Sequence, residues 1–150
     1  MLRASLLSFL LLAAAPAAAL AGINEVLECS ATHDQTFREA PSLELVQAYP
    51  MFRVYAPAQG RAFGYAPTSV RTASDGEEDV VFVAIAAPYQ AVLAAVLAER
   101  GLTVCPESFG VPNYCHLMDR ADAGSMVVQA DPEAADATLI SCSFSLNRSR

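Results

Sequence analysis

Residues 80–86, VVFVAIA, are apolar on both faces of an extended chain and predict a central, fully covered strand. Asp75-Gly76 just before them is the strongest short hairpin signal in the chain, and it joins them to a weakly alternating segment at 68–72. The period then changes. Tyr89, Val92, Leu93, Val96 and Leu97 fall at helical spacing on one stripe. Pro88 suits a first turn and Gly101 suits the position after the last, so a helix is predicted over about 88–100. Residues 102–105 read as a further strand, giving strand–helix–strand with a right-handed crossover if the two strands lie parallel. Strands are also predicted at 115–118 and 125–130. The cleanest alternation is at 138–146, where Ile140, Cys142, Phe144 and Leu146 face inward and Ser141, Ser143 and Ser145 outward.

The N-terminal third is less periodic. Ile23, Val26, Leu27 and Ser30 have helical spacing and predict a short helix, and Thr32-His33-Asp34 reads as a turn or a second cap. Ser42, set between Pro41 and Pro50, predicts a short helix through Ala48. Beyond Met51 the β-formers Phe52, Val54, Phe63, Tyr65 and Val70, punctuated by Pro57, Gly60 and Pro67, read as a meander of short strands. The class is therefore α+β: an antiparallel or mixed sheet of five or six strands with one main helix packed on one face.

The extreme N-terminus has a different pattern. Arg3, an apolar run at 6–12 broken only by Ser8, an alanine-rich tract with Pro16, and Ala19-Leu20-Ala21 before Gly22 make a secretory signal peptide. The expectation is a cleaved leader, 1–21, and one exported domain, 22–150. The apolar stretch at 6–21 contains a proline and is short for a membrane span, and nothing after it is long enough to be one. The compartment is the periplasm if the source is Gram-negative and the exterior otherwise.

Export changes how Cys29, Cys105, Cys115 and Cys142 are read. Four cysteines in an exported chain predict two disulfides. Cys105 and Cys115 bracket a loop rich in turn formers (Pro106, Gly110, Pro112, Asn113) and should meet readily, which leaves Cys29 for Cys142. Rings of this short and long kind stabilise by about 3 and nearly 5 kcal/mol. Zinc is disfavoured because the chain has no C-x-x-C and Cys115-His116 are adjacent. The same lack argues against a thioredoxin-type redox motif.

Charge narrows the partners. All 9 basic residues are arginine, against 16 acids. Without Arg3 the formal net charge is −8, which disfavours nucleic acid and anionic membrane surfaces. Walker and G-x-G-x-x-G patterns are absent, so no cofactor is called for. Asp75 to Asp79 does not fit the EF-hand frame, having Val80 at position 6, and reads as a solvated hairpin tip. The chain has no G-x-S-x-G. The only histidines are His33 and His116, and each lies next to an acid that local geometry keeps from it. His33-Asp34 is a solvated pair at a cap, and His116 and Asp119 fall on opposite faces of a strand. Tyr49, Phe52, Tyr55, Phe63 and Tyr65, with Arg53 and Arg61, read as core and edge strand before partner surface.

These observations rank a small non-enzymatic binding or structural module first, its partner a protein or small molecule. A small secreted hydrolase using Ser108 or His116 ranks behind it. So does an inhibitor that presents the 105–115 loop through Phe109 and Tyr114, the clip supplying preorganisation.

Overall fold

The computed structural model of this chain describes residues 17–39, 43–56, 59–118 and 124–145. Several sequence features lie outside these residues: Arg3 through Pro16 of the leader, Pro41 and Ser42, Pro57, Asp119, and the tail from Leu146 to Arg150.

Seven strands form one antiparallel sheet: β1 (Leu45–Ala48), β2 (Phe52–Tyr55), β3 (Pro67–Ser74), β4 (Glu78–Ile85), β5 (Tyr114–Met118), β6 (Gly124–Ala130) and β7 (Thr138–Ser145). Their order is β1-β2-β3-β4-β7-β6-β5. VVFVAIA lies in β4, the middle of the sheet, and pairs along its whole length with β7. Every neighbouring pair is antiparallel, so the crossover expected between parallel neighbours does not occur.

Three helices accompany the sheet: α1 (Ala17–Leu27), α2 (His33–Glu39) and α3 (Tyr89–Glu99). Residues 88–100 thus contain the expected helix, with Tyr89, Val92, Val96 and Leu97 buried. It is not the one main helix, because α1 also runs for 11 residues. Gly101 adopts φ +67°, and the amide of Leu102 donates to the Leu97 carbonyl at 2.8 Å. This reversal, open to glycine at no steric cost, turns the chain away from the sheet. The expected strand at 102–105 is therefore absent, and Leu102 and Val104 are exposed.

The helices bury one sheet face only. By register one row crosses all seven strands: Ala48, Arg53, Thr72, Val81, Cys142, Met126 and Leu117. From Thr72 onward every member is buried; Arg53 and Ala48 are exposed. On the opposite face Val80, Phe82 and Ala84 are half-buried, with no second layer among the described residues. Full cover for β4 was the wrong inference. A continuous apolar run signals two covered faces in parallel sheets, whereas an antiparallel sheet can leave one face to water.

α1 docks through two polar residues one turn apart. The Asn24 side chain accepts the Arg61 amide at 2.7 Å, and Glu28 accepts the Phe63 amide at 2.9 Å. Burial raises the Glu28 carboxyl above its ordinary value despite this bond. Gly60 permits the close approach, since a Cβ there would stand 2.7 Å from Ile23 Cγ2. Arg100 donates to the Glu28 carbonyl at 2.7 Å, capping the end of α1 from the end of α3. Ile23, Val26 and Leu27 are all buried.

Two disulfides lock the fold. Cys29–Cys142 joins the end of α1 to β7 across 113 positions, and Cys105–Cys115 closes a loop of 10. No described cysteine is free.

The expected helix ending at Ala48 is instead strand β1. Its four residues are exposed throughout, so no apolar helical face has anything to pack against. Pairing with β2 across the Pro50 turn outweighs the capping signal. Phe63 and Tyr65 are also not strand residues. They belong to a tight turn closed by an Ala62–Tyr65 bridge.

Candidate functional site

At the β1–β2 end of the inner face the helices give way to a groove of about 260 Å³. Arg53, Tyr55 and Thr72 line its floor, Phe37 of α2 forms one wall, and Tyr49 to Phe52 form the rim. α2 is 7 residues long, about 10 Å at the helical rise, and does not extend over the first two strands. The aromatic segment is thereby divided. Tyr55 and Phe63 are buried, whereas Tyr49 and Phe52 are exposed and stack with centroids 4.3 Å apart. Met51 is exposed beside them, and Leu45 and Val46 of β1 are exposed outside the lining of the groove.

The charges in the groove are arranged unequally. The Asp79 carboxylate is bonded to His33 Nε2 at 2.8 Å, and Asp34 stands 3.4 Å from the other ring nitrogen. The Asp79 bond is the main cause that holds the His33 pKa above its ordinary value of 6.5; burial opposes it. The ring also contacts Phe37 and Phe144. His33 thus begins α2 and engages an acid 46 positions away, which corrects its reading as a solvated turn. Thr32 supplies the cap, its hydroxyl accepting the Gln35 amide at 3.2 Å. With Asp79 engaged, Arg53 makes no ion pair or side-chain hydrogen bond among the described residues.

The clipped loop forms a second surface on the opposite edge. Glu107 bridges to His116 of β5, whose amide donates to the Glu107 carbonyl at 2.8 Å. The two side chains meet more loosely, at 3.4 Å. The acid beside His116 is therefore Glu107; Asp119 lies outside the described residues. Phe109 is 62% exposed and adopts φ +52°, a conformation that costs a non-glycine residue on the order of 1 kcal/mol. Its ring lies 5.6 Å from His116 and 6.2 Å from Tyr114. Tyr114 also lines a shallow depression of about 230 Å³ with Val111, Pro112 and Gln129. No hydrogen bond joins Ser108 to His116 among the described residues, and the Ser108 carbonyl instead accepts the Val111 amide.

The acidic run 75–79 forms the β3–β4 hairpin tip. Asp75 Oδ1 accepts the amides of Glu77 and Glu78 at 2.9 and 2.8 Å, which holds its carboxyl below the ordinary value. The described residues contain no group of three or more His, Cys, Asp or Glu side chains placed to hold a metal. Nor do they contain a helix long and apolar enough to cross a membrane.

The sequence marks Arg53 and its aromatic neighbours as core and edge strand before partner surface, and it does not reveal the groove or the His33–Asp79 pair. The available signal for Arg53 was its place in a cluster of aromatic residues, which does not reveal where Asp79 is bonded. No family model, curated protein or solved structure matches this chain.

Proposed function

We propose that the chain is an exported, non-enzymatic binding module, made as a precursor with a leader at 1–21, whose partner docks at the β1–β2 hairpin and its groove. One observation carries the reading. Tyr49, Met51 and Phe52 are exposed together at the rim of a cavity whose Arg53 makes no ion pair among the described residues, and Leu45 and Val46 are exposed on the adjoining strand. Contiguous apolar surface of this kind marks interaction sites, and aromatic residues with arginine are enriched at their centres. Two intramolecular disulfides support the oxidising compartment. The test is photo-crosslinking in the native host, with the label at Val46 or at Val104. A partner trapped from Val46, and lost with Tyr49→Ala plus Met51→Asp, is the expected result. Crosslinks from Val104 alone would overturn the assignment.

A second reading has its own observation. Phe109 is held exposed, in a left-handed backbone conformation, on a loop clipped by Cys105–Cys115. This suits an inhibitor that inserts the loop into its target. In that case Phe109→Ala plus Tyr114→Ala abolishes the interaction, and the hairpin variants do not.

A further inference from the structure

β1 is the last described strand on its side of the sheet, and its outer edge carries no partner strand among the described residues. Tyr49 donates its amide to the Phe52 carbonyl at 2.8 Å, so its backbone faces β2. Backbone direction alternates along an antiparallel strand, and the amide and carbonyl of Ala48 therefore point away from β2. An unpaired edge of this kind is a template for another extended segment. LVQA contains neither charge nor proline; its protection is limited to its short length and a register shift between Leu45 and Gln47, before Ala48.

The row that crosses the sheet defines what such a segment should carry. It runs from the buried core through Thr72 to Arg53 and ends at Ala48. A strand added beyond β1 would place a side chain two strand spacings from Arg53, about 9.6 Å between backbones. A guanidinium and a carboxylate can close that distance if nothing bulky stands between them. Ala48 is the residue between, and it contributes only a methyl group. Among the described residues Arg53 makes no ion pair, and the Asp79 carboxylate that also lines the groove is bonded to His33.

We propose that the occupant of this site is an extended peptide that adds to β1 as an eighth strand. It carries Glu or Asp opposite Ala48, and that carboxylate pairs with Arg53 over the Ala48 methyl. The proposal rests on the binding reading of the hairpin. Backbone hydrogen bonds to the edge provide affinity, and the Arg53 pair sets the register and selects the acid.

The test uses the disulfide-intact protein and three labelled, end-capped nonapeptides of alternating Thr and Val, differing only in a central Glu, Gln or Lys. Fluorescence anisotropy gives the affinities, and amide chemical shifts report the contact. The expected result is binding of the Glu peptide about 10-fold tighter than the Gln peptide, with the Lys peptide weakest. Shifts should centre on Ala48. Arg53→Gln should equalise the Glu and Gln peptides without removing binding. Ala48→Pro deletes only an outward amide and should abolish binding of all three, with circular dichroism and melting retained as controls.

Equal affinity for Glu and Gln in the unaltered protein would overturn the acidic pairing, as would a Glu preference that survives Arg53→Gln. Binding unaffected by Ala48→Pro would overturn strand addition. Concentration-dependent dimers removed by Ala48→Pro would assign the edge to a second copy of the chain and overturn the peptide assignment. If none of the peptides binds while the Val46 crosslink persists, the strand-addition model fails and the binding module stands.

Discussion

The two edges of the sheet are built in opposite ways. At the β5 edge the chain folds back, Glu107 bridges to His116, and Cys105–Cys115 holds the returning loop in place. At the β1 edge neither loop nor disulfide is found among the described residues, and the four strand residues are exposed throughout. Both edges carry exposed apolar side chains, Val104, Phe109 and Met118 at one and Val46 and Met51 at the other. The difference lies in the backbone. A sheet edge left unpaired invites another strand, and among the described residues only the β5 edge is met by returning chain. The half that is stapled by both disulfides is the half that holds the core, and the bare half lines the groove.

Removing the staples is the strongest way to break this contrast. Cys29→Ala with Cys142→Ala should destabilise by nearly 5 kcal/mol in the chain-entropy model, and Cys105→Ala with Cys115→Ala by about 3 kcal/mol. Denaturant unfolding gives both values. The short clip should have a second effect that the long one lacks. Without it the β5 edge is freed, and sedimentation should show association at protein concentrations where the intact chain shows none. Equal association by both variants would show that general destabilisation, and not edge protection, is responsible.

A smaller effect sharpens the boundary between the covered and bare halves. Thr36 of α2 is buried, and its hydroxyl has no partner among the described residues. Replacing it with the isosteric Val removes an unsatisfied polar atom and should stabilise by about 1 kcal/mol, read as a rise in Tm. A loss of stability would mean that the hydroxyl has a partner.

The smallest effect is the pH dependence of the latch at this boundary. Among the described residues, Asp79 of β4 and Asp34 of α2 are the acids bonded to His33, and Phe37 and Phe144 are its ring contacts. The folded pKa is raised, so the folded state binds the proton more tightly. The contribution is complete below about 6.5 and is lost as pH rises through the elevated value. His33 is 35% exposed, and solvent screening keeps the effect below about 1 kcal/mol. Midpoints for the protein and for Asp79→Asn, compared on either side of that window, should differ most at the acidic end. Parallel pH profiles would remove His33–Asp79 as the latch.

Residue patterns that act within one element were legible before the structure. The 3.6-residue stripe from Tyr89 to Leu97 lies on α3, and the alternation of Ile140, Cys142 and Phe144 lies inward on β7. Asp75-Gly76 lies at the β3–β4 turn. The misreadings occurred where a local signal competed with a distant partner. The capping pattern before Ala48 yielded to pairing with β2, and the apolar stretch after Gly101 yielded to a helix end that points away from the sheet. The candidate site was less legible still. Phe109 and Tyr114 were visible as an aromatic pair on a short loop, but Arg53 gains its meaning from Asp79 being bonded to His33.

The sequence by itself determined the periods of its regular elements, the presence of four cysteines, and an acidic surface without lysine. These follow from composition and from spacings shorter than two helical turns. Tertiary structure alone decided that seven strands would form one sheet, that the described helices would cover one face, and that the edge strand β1 would lie beside Arg53, which makes no ion pair among the described residues. Each of these depends on contacts between residues tens of positions apart, and a linear pattern does not encode which distant group arrives first at a shared partner. His33 and Asp79, separated by 46 positions, are the clearest case. Once they meet, Asp79 is engaged by α2, and Arg53 makes no ion pair among the described residues.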